Sequence, residues 1–275
     1  MFFENPAAMA FFGFAIMGNM KIILSNDDGI KAPGLLALAK ELTSLAEVTI
    51  LAPERERSAI SHAITLREPI ILKKCEILEG VKAFAASGTP ADCMKVALLS
   101  FCDQPDVVII GLNPGSNLST DIVYSGTVAA ASEASMLGVP ALAMSMDDSP
   151  EGVFHFETGA RAARELVEKL DFSKAPEGVV LNVNVPNVPW EEIKGWRLTS
   201  LGKTKFHERY IHRVDPSGND YFWISGVLLP DDDDPSSDYL SLKHNFISLT
   251  PLMGNFALSV EEEKVREWLS VLFEN

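Results

Sequence analysis

The strongest constraint on this chain is a repeated alternation of two textures. Short runs such as "IIL", "VVII" and "ALAM" are apolar or small on both faces, and stretches of helical spacing separate them. A strand with one wet face alternates apolar and polar residues, whereas a strand covered on both sides does not. Strands of the second kind, alternating with helices, build a parallel sheet with helices on both faces. Residues 20–186 are therefore read as an α/β unit: a Rossmann-like, doubly wound, mostly parallel sheet in three layers.

The helices between the strands carry their own signals. "GLLALAKELTSL" repeats leucine and alanine at helical intervals. "TPADCMKVALLSF" starts cleanly, with Thr89 as N-cap, Pro90 at the first helical position and Asp92 facing the helix dipole. "GTVAAASEASMLG" stops at Gly138, and "FETGARAARELVEKL" is amphipathic. "ERERSAISHAITL" is polar and irregular, so it is read as a loop.

After Pro186 the texture changes. Residues 187–275 are rich in aromatics, threonine and turn residues, read as a β-hairpin-rich excursion with one more strand, "HNFISLTPL", and a terminal helix. Hairpin edges that extend outward invite pairing with another subunit, so this part is assigned to oligomerisation. Residues 1–19 form an N-terminal extension. It is apolar but lacks a basic leader region and is too short to span a bilayer, and Met20 is read as the natural start.

Charge narrows the partners. Lys and Arg total 23 against 38 Asp and Glu, a formal net charge of −15. Such a chain repels nucleic-acid duplexes and anionic membranes. An anionic substrate would need a local positive charge, for which a metal ion is the obvious source. The run Asp231–Asp234 is read as a solvated loop. Cys75, Cys93 and Cys102 show no metal spacing and are read as reduced thiols of a cytoplasmic protein.

In an open α/β sheet, ligands bind beyond the carboxyl ends of the strands. The first strand delivers Asn26, Asp27, Asp28 and Gly29 there. The second is followed by Arg55, Arg57 and Ser58. The "DVVIIG" strand leads to Asn113 and Asn117, and Ser125, Gly126 and Thr127 follow at the start of a helix. Taken singly, these have ordinary readings: a turn, a loop serine, a helix cap. His62 is read as a structural or surface residue rather than a catalytic one. It is their convergence on one sheet edge that points to a site.

The set is all oxygen and amide. Two adjacent carboxylates repel unless one is protonated or a divalent cation lies between them. Hard oxygen ligands suit Mg²⁺, Mn²⁺ or Ca²⁺. Asp27 and Asp28 would bind directly, with the Ser58 hydroxyl and the Asn113 carbonyl completing the shell. Ser125–Thr127 would cradle phosphate with hydroxyls and helix N–H groups. Together these imply phosphoryl hydrolysis.

The motifs "SNDDG", "APERERS", "SGTPADC", "GLNPGSN" and "YSGTVAAASEA", in that order, resemble the SurE (survival protein E) 5'/3'-nucleotidases. The resemblance implies a hydrolase acting on nucleoside monophosphates with one divalent cation, Mg²⁺ or Mn²⁺. It implies metal ligands at Asp27, Asp28, Ser58 and Asn113, with Asp27 and Asp28 catalytic. It implies phosphate contacts at Asn117, Ser125, Gly126 and Thr127, and a homodimer or homotetramer with exchanged C-terminal segments. The chain departs from the family pattern at Pro114-Gly115-Ser116, where Ala-Gly-Pro is common, and at Met253, where some members carry a histidine.

Two other activities are open to such a site: a metal-dependent nucleoside hydrolase, and a nucleotide-binding protein without turnover. Dinucleotide binding is disfavoured, because "SNDDGIKAPG" lacks the GxGxxG pattern and sets acid against a pyrophosphate.

Overall fold

The computed structural model describes residues 20–203, 205–229, 234–255 and 262–273. The extension 1–19 and Asp231–Asp233 of the acidic run lie outside the described residues. Among the described residues the strands are β1 (Lys21–Ser25), β2 (Glu47–Pro53), β3 (Leu72–Cys75), β4 (Lys82–Ala86), β5 (Val107–Pro114), β6 (Ala141–Met146), β7 (Val179–Val185), β8 (Trp196–Leu198), β9 (Lys205–Val214), β10 (Asp220–Leu229) and β11 (Ile247–Met253). The helices are α1 (Pro33–Leu42), α2 (Pro90–Val96), α3 (Gly126–Met136), α4 (Phe156–Lys169), α5 (Asp238–Lys243) and α6 (Glu262–Leu269).

Nine strands form one sheet in the order β3-β4-β2-β1-β5-β6-β7-β11-β8. Every pair from β4 to β7 is parallel. The chain winds outward from β1 in one direction, then returns to β5 and winds in the other. The doubly wound expectation holds, and β1 and β5 flank the point where the order reverses.

The continuous apolar strands divide their side chains between two cores, as a period of two requires. Ile22 and Leu24 pack in one core with Leu35, Leu38 and Leu42 of α1 and Leu166 of α4. Ile23 points the other way, into a core with Met94 of α2 and with Ala130, Ala131 and Ala134 of α3. The alanines let α3 lie close on the sheet, which brings its N-terminus to the β1 end.

Strand β3 was not evident in the sequence. "LKKC" is half polar because it is an edge strand, antiparallel to β4 only, and an edge needs little apolar surface. Strands β8 and β11, although they follow Pro186, lie in the large sheet. β11 pairs antiparallel with β7, and β8 runs parallel to β11. β9 and β10 form a separate antiparallel hairpin, paired along residues 205–214 and 220–229.

Helix α2 begins as its sequence predicts. Asp92 N–H donates to Thr89 Oγ1 at 3.0 Å, and Thr89 N–H donates to Asp92 Oδ2 at 2.9 Å, a reciprocal capping box. Asp92 also accepts from Thr65 N–H at 2.9 Å and from Thr65 Oγ1 at 2.5 Å, so one buried carboxylate starts the helix and pins the loop before β3. Burial pushes this carboxyl up, and the hydrogen bonds from Thr65 and Thr89 more than offset it, leaving it below the usual carboxylate range.

Replacing Asp92 by Ala is expected to cost about 1–3 kcal/mol near neutral pH. The folded protein holds this proton more weakly than the unfolded chain does. The contribution is therefore complete above about pH 4, the unfolded value, and fades as pH falls below it. Urea midpoints of wild type and Asp92→Ala across pH 3–8 should stay apart above pH 5 and converge below 4.

Candidate active site

The site grows from the turn that ends β1. Asn26 clamps that turn: its Nδ2 donates to the Gly29 carbonyl at 3.0 Å and its Oδ1 accepts from Gly29 N–H at 3.1 Å. Gly29 has φ +101°, a conformation glycine adopts freely. A Cβ there would also meet the Arg55 backbone carbon at 3.0 Å. The turn and the loop after β2 are thus in contact, and Arg57 N–H donates to the Asp27 carbonyl at 2.7 Å.

Asp27 is buried and faces the start of α3. It accepts from Thr127 Oγ1 at 2.6 Å and from Thr127 N–H at 3.2 Å. Gly126 must be glycine for this approach, since a Cβ would lie 2.9 Å from the Asp27 Cβ and Oδ2. Burial raises the Asp27 carboxyl above its usual range, opposed by the hydrogen bonds from Thr127 and from the backbone, Gly126 included. The first N–H groups of α3 therefore point at a carboxylate. This differs from the open phosphate cradle expected from "SGT". A buried anion at a helix N-terminus takes the nearest donors first.

Asp28 is less well provided for. Its Oδ2 is buried and has no hydrogen-bond partner. Burial, then the negative charges of Asp27 and Glu56, push its carboxyl up to about 7. Ser58 is tied to the same neighbour, its hydroxyl donating to Glu56 Oε1 at 2.7 Å.

The loop carrying Ser58 is fastened at several further points. The Arg57 guanidinium donates to the Ser87 carbonyl at 2.9 Å. Ser61 donates from its N–H to the Tyr124 carbonyl and from its hydroxyl to that of Val123. His62 lies 2.9 Å from the buried Glu133 of α3, which Lys95 also reaches at 2.9 Å. The structural reading of His62 matches this contact.

Asn113 stands at the end of β5. Parallel pairing sets Ser25 beside Ile110, and both strands then run on to the same rim, to Asp28 and Asn113. Asn113 Nδ2 donates to the Gly115 carbonyl at 2.6 Å, which turns this side chain's other polar atom, a carbonyl oxygen, away from that bond.

Asn117 is held by residues the sequence reading missed. Its N–H donates to Asn184 Oδ1 at 2.8 Å, and its carbonyl accepts from Asn182 at 2.8 Å and from Asn184 at 3.0 Å. Its side chain donates to Ser145 Oγ at 2.7 Å. Asn182 and Asn184 are fully buried in β7. Their signal was present, since two asparagines at alternate positions of an apolar strand share one face. Ser125 is the N-cap of α3, accepting from Val128 N–H at 3.1 Å.

The donors at this rim fit a hard divalent cation. All are oxygens, and a buried, partnerless carboxylate oxygen beside a second carboxylate is an electrostatic deficit that a cation would cancel. Among the described residues no cluster of three or more His, Cys, Asp or Glu could hold a metal, so the hydroxyl and amide oxygens would be needed.

A family model described as survival protein SurE matches residues 22–208. The chain is 46% identical over 237 residues to the 5'-nucleotidase SurE of Fervidobacterium nodosum, covering 85% of this chain and 91% of that protein. It is 42% identical to the 5'-nucleotidase SurE of a Cyanothece species, covering 92% and 97%. The solved SurE protein of Aquifex aeolicus superimposes with a TM-score of 0.74 at 34% identity, covering 91% of this chain and 98% of that one.

Removing Asn184 should be costly. Asn184→Leu strands the Asn117 N–H in a buried place and removes one of the two donors to its carbonyl. A loss of about 1–3 kcal/mol in unfolding free energy is expected by urea titration. A loss below a few tenths would show that the clamp carries no strain-bearing role.

Proposed function

Because the chain belongs to the SurE survival-protein family, we propose that it is a hydrolase releasing phosphate from nucleoside monophosphates, a 5'-nucleotidase whose action on 3'-nucleotides is a question for a substrate panel. The observation that carries this reading is the partnerless buried oxygen of Asp28 beside Asp27, at the reversal point of the sheet. Acid placed there is suited to a substrate that arrives with a cation, not to a bare pyrophosphate.

Asp27, Asp28, Ser58 and Asn113 would hold one divalent cation, Mg²⁺ or Mn²⁺. When bound, that cation supplies positive charge to a phosphate oxygen and lowers the pKa of a water. Asp27, fixed by Thr127 and Gly126, keeps the acidic pair from turning away. Asp28 orients the attacking water through its uncommitted Oδ2. The Ser125 oxygen accepts within the helix cap, which leaves its own O–H to donate to a phosphate oxygen. Asn117 fixes the loop that lines the other side. Thr127 is completely buried, and its part in binding is through Asp27. Donors set in advance around the phosphate stabilise charge that grows in the transition state.

The subunit assembly follows from the hairpin. Among the described residues β9 and β10 pair only with each other, and Tyr210, Phe222, Trp223 and Ile224 are exposed. An isolated two-stranded ribbon is marginal in water, so a second copy covering it, in a homodimer or homotetramer with exchanged C-terminal segments, is the assembly we propose. In this division, residues 20–186 carry the chemistry and the β9–β10 hairpin of 187–275 the assembly, while β8 and β11 complete the large sheet. No helix among the described residues is long and apolar enough to cross a membrane. Three free cysteines suit a reducing cytoplasm.

Two measurements test these readings. Phosphate release from AMP or GMP should vanish in EDTA and return with Mg²⁺ or Mn²⁺, and Asp28→Asn should lower kcat by about 10³-fold. Release indifferent to EDTA, or free base appearing in place of phosphate, would refute the mechanism. Sedimentation should show that Trp223→Lys lowers the oligomeric state relative to wild type; unchanged sedimentation would remove the hairpin from the interface.

A further inference from the structure

Asp238 is fully buried, at the start of the short helix α5, far from the acidic pair in sequence and outside the set of groups described so far. A buried carboxylate must be met by donors, and Asp238 draws them from separate segments. Its Oδ2 accepts from Ser119 N–H at 3.2 Å. Its Oδ1 accepts from Gly202 N–H at 2.7 Å and from Tyr239 N–H at 2.8 Å. Ser119 and Gly202 also meet directly, the Ser119 hydroxyl donating to the Gly202 carbonyl at 2.5 Å.

The three segments are not equivalent. Ser119 ends the loop that follows β5 and contains Asn117, and it sits in the left-handed region at φ +51°, where a serine needs outside support. Gly202 lies on the strand-to-hairpin connection just before β9. Asp238 follows the return from β10, and its own N–H donates to the Ser200 carbonyl at 2.9 Å. Both roots of the hairpin therefore close on one carboxylate, and that carboxylate holds the far end of the site loop. The near side of the same loop is fixed to β7 by Asn182 and Asn184.

We infer that Asp238 is a positioning residue: it bolts the loop after β5 to the root of the β9–β10 hairpin and so sets where Asn117 stands. The kinetic consequence rests on the nucleotidase reading above; the structural consequence does not. Because the two carboxylate oxygens face different segments, one substitution separates them. In Asp238→Asn an amide oxygen can still accept from Gly202 and Tyr239, while the NH₂ replacing Oδ2 cannot accept from Ser119 N–H. Asp238→Ala removes both links.

Hydrogen exchange read by mass spectrometry, on the full chain, decides the matter first. Asp238→Asn should speed exchange in peptides covering 113–119 by about tenfold while peptides covering 200–203 and β1 stay at wild-type rates. Asp238→Ala should loosen both 113–119 and 200–203. In parallel, kcat/KM for AMP with Mn²⁺, measured well below the melting temperature, should fall about tenfold in Asp238→Asn, since small misplacements of positioned groups slow the chemical step. A merely structural role would lower the melting temperature and leave both the local exchange pattern and kcat/KM of the folded enzyme unchanged. Wild-type exchange at 113–119 in Asp238→Asn would overturn the inference. If wild type releases no phosphate at all, the nucleotidase reading fails alone, and the exchange result still judges the bolt.

Discussion

The Thr127 hydroxyl donates to the Asp27 carboxylate at 2.6 Å, and the Thr127 amide at 3.2 Å, across a hundred residues of sequence. This contact joins the end of the first strand to the start of the helix after β5. It can form only because α3 is rich in alanine, lies close on the sheet, and begins with a glycine that admits the carboxylate. It satisfies one acid of the adjacent pair. The other acid is left with a buried oxygen that has no partner and with a carboxyl pushed up to about 7. That imbalance is the physical basis of the cation site proposed above, since a single positive centre would offset both charges at once.

The loops around this rim are not held by regular secondary structure. They are held by side chains that replace backbone partners. Asn182 and Asn184 do for Asn117 what a neighbouring strand would do, meeting both its N–H and its carbonyl. Asp92 meets the N–H and the hydroxyl of Thr65 while capping α2. Asp238 meets the N–H groups of Ser119 and Gly202. Each is a buried polar group whose donors or acceptors come from distant segments, so none can shift without leaving a neighbour unsatisfied. A site built on loops gains the rigidity of a core in this way.

Much of the scaffold was legible in the chain. Ile22, Ile23 and Leu24 announce a strand covered on both faces, and the structure divides them between two cores as that pattern demands. Thr89, Pro90 and Asp92 announced the start of α2, and the capping box is there. Strand β3 was not legible, because an edge strand of "LKKC" carries no apolar signature. The antiparallel return of β11 beside β7 was not legible either, since its apolar residues would suit either direction. At the rim, the strand ends made Asp27, Asp28, Ser58 and Asn113 candidates, and their joint role is the proposal above. That Thr127 would spend its hydroxyl and its amide on Asp27 could not, because the sequence "SGT" reads equally well as an open anion site.

The order of residues by itself determined which segments become covered strands, where the helices start, and that two acids stand at the end of the first strand. Those are local matters, settled by periodicity, capping chemistry and the two-sided apolar pattern. Tertiary structure alone decided which acid would be satisfied and which left wanting, and which buried side chains would hold the loops. Burial and donor supply depend on segments that meet only after folding. The charge state of Asp28 is set first by that meeting, through burial, and only second by the charge of its neighbour Asp27.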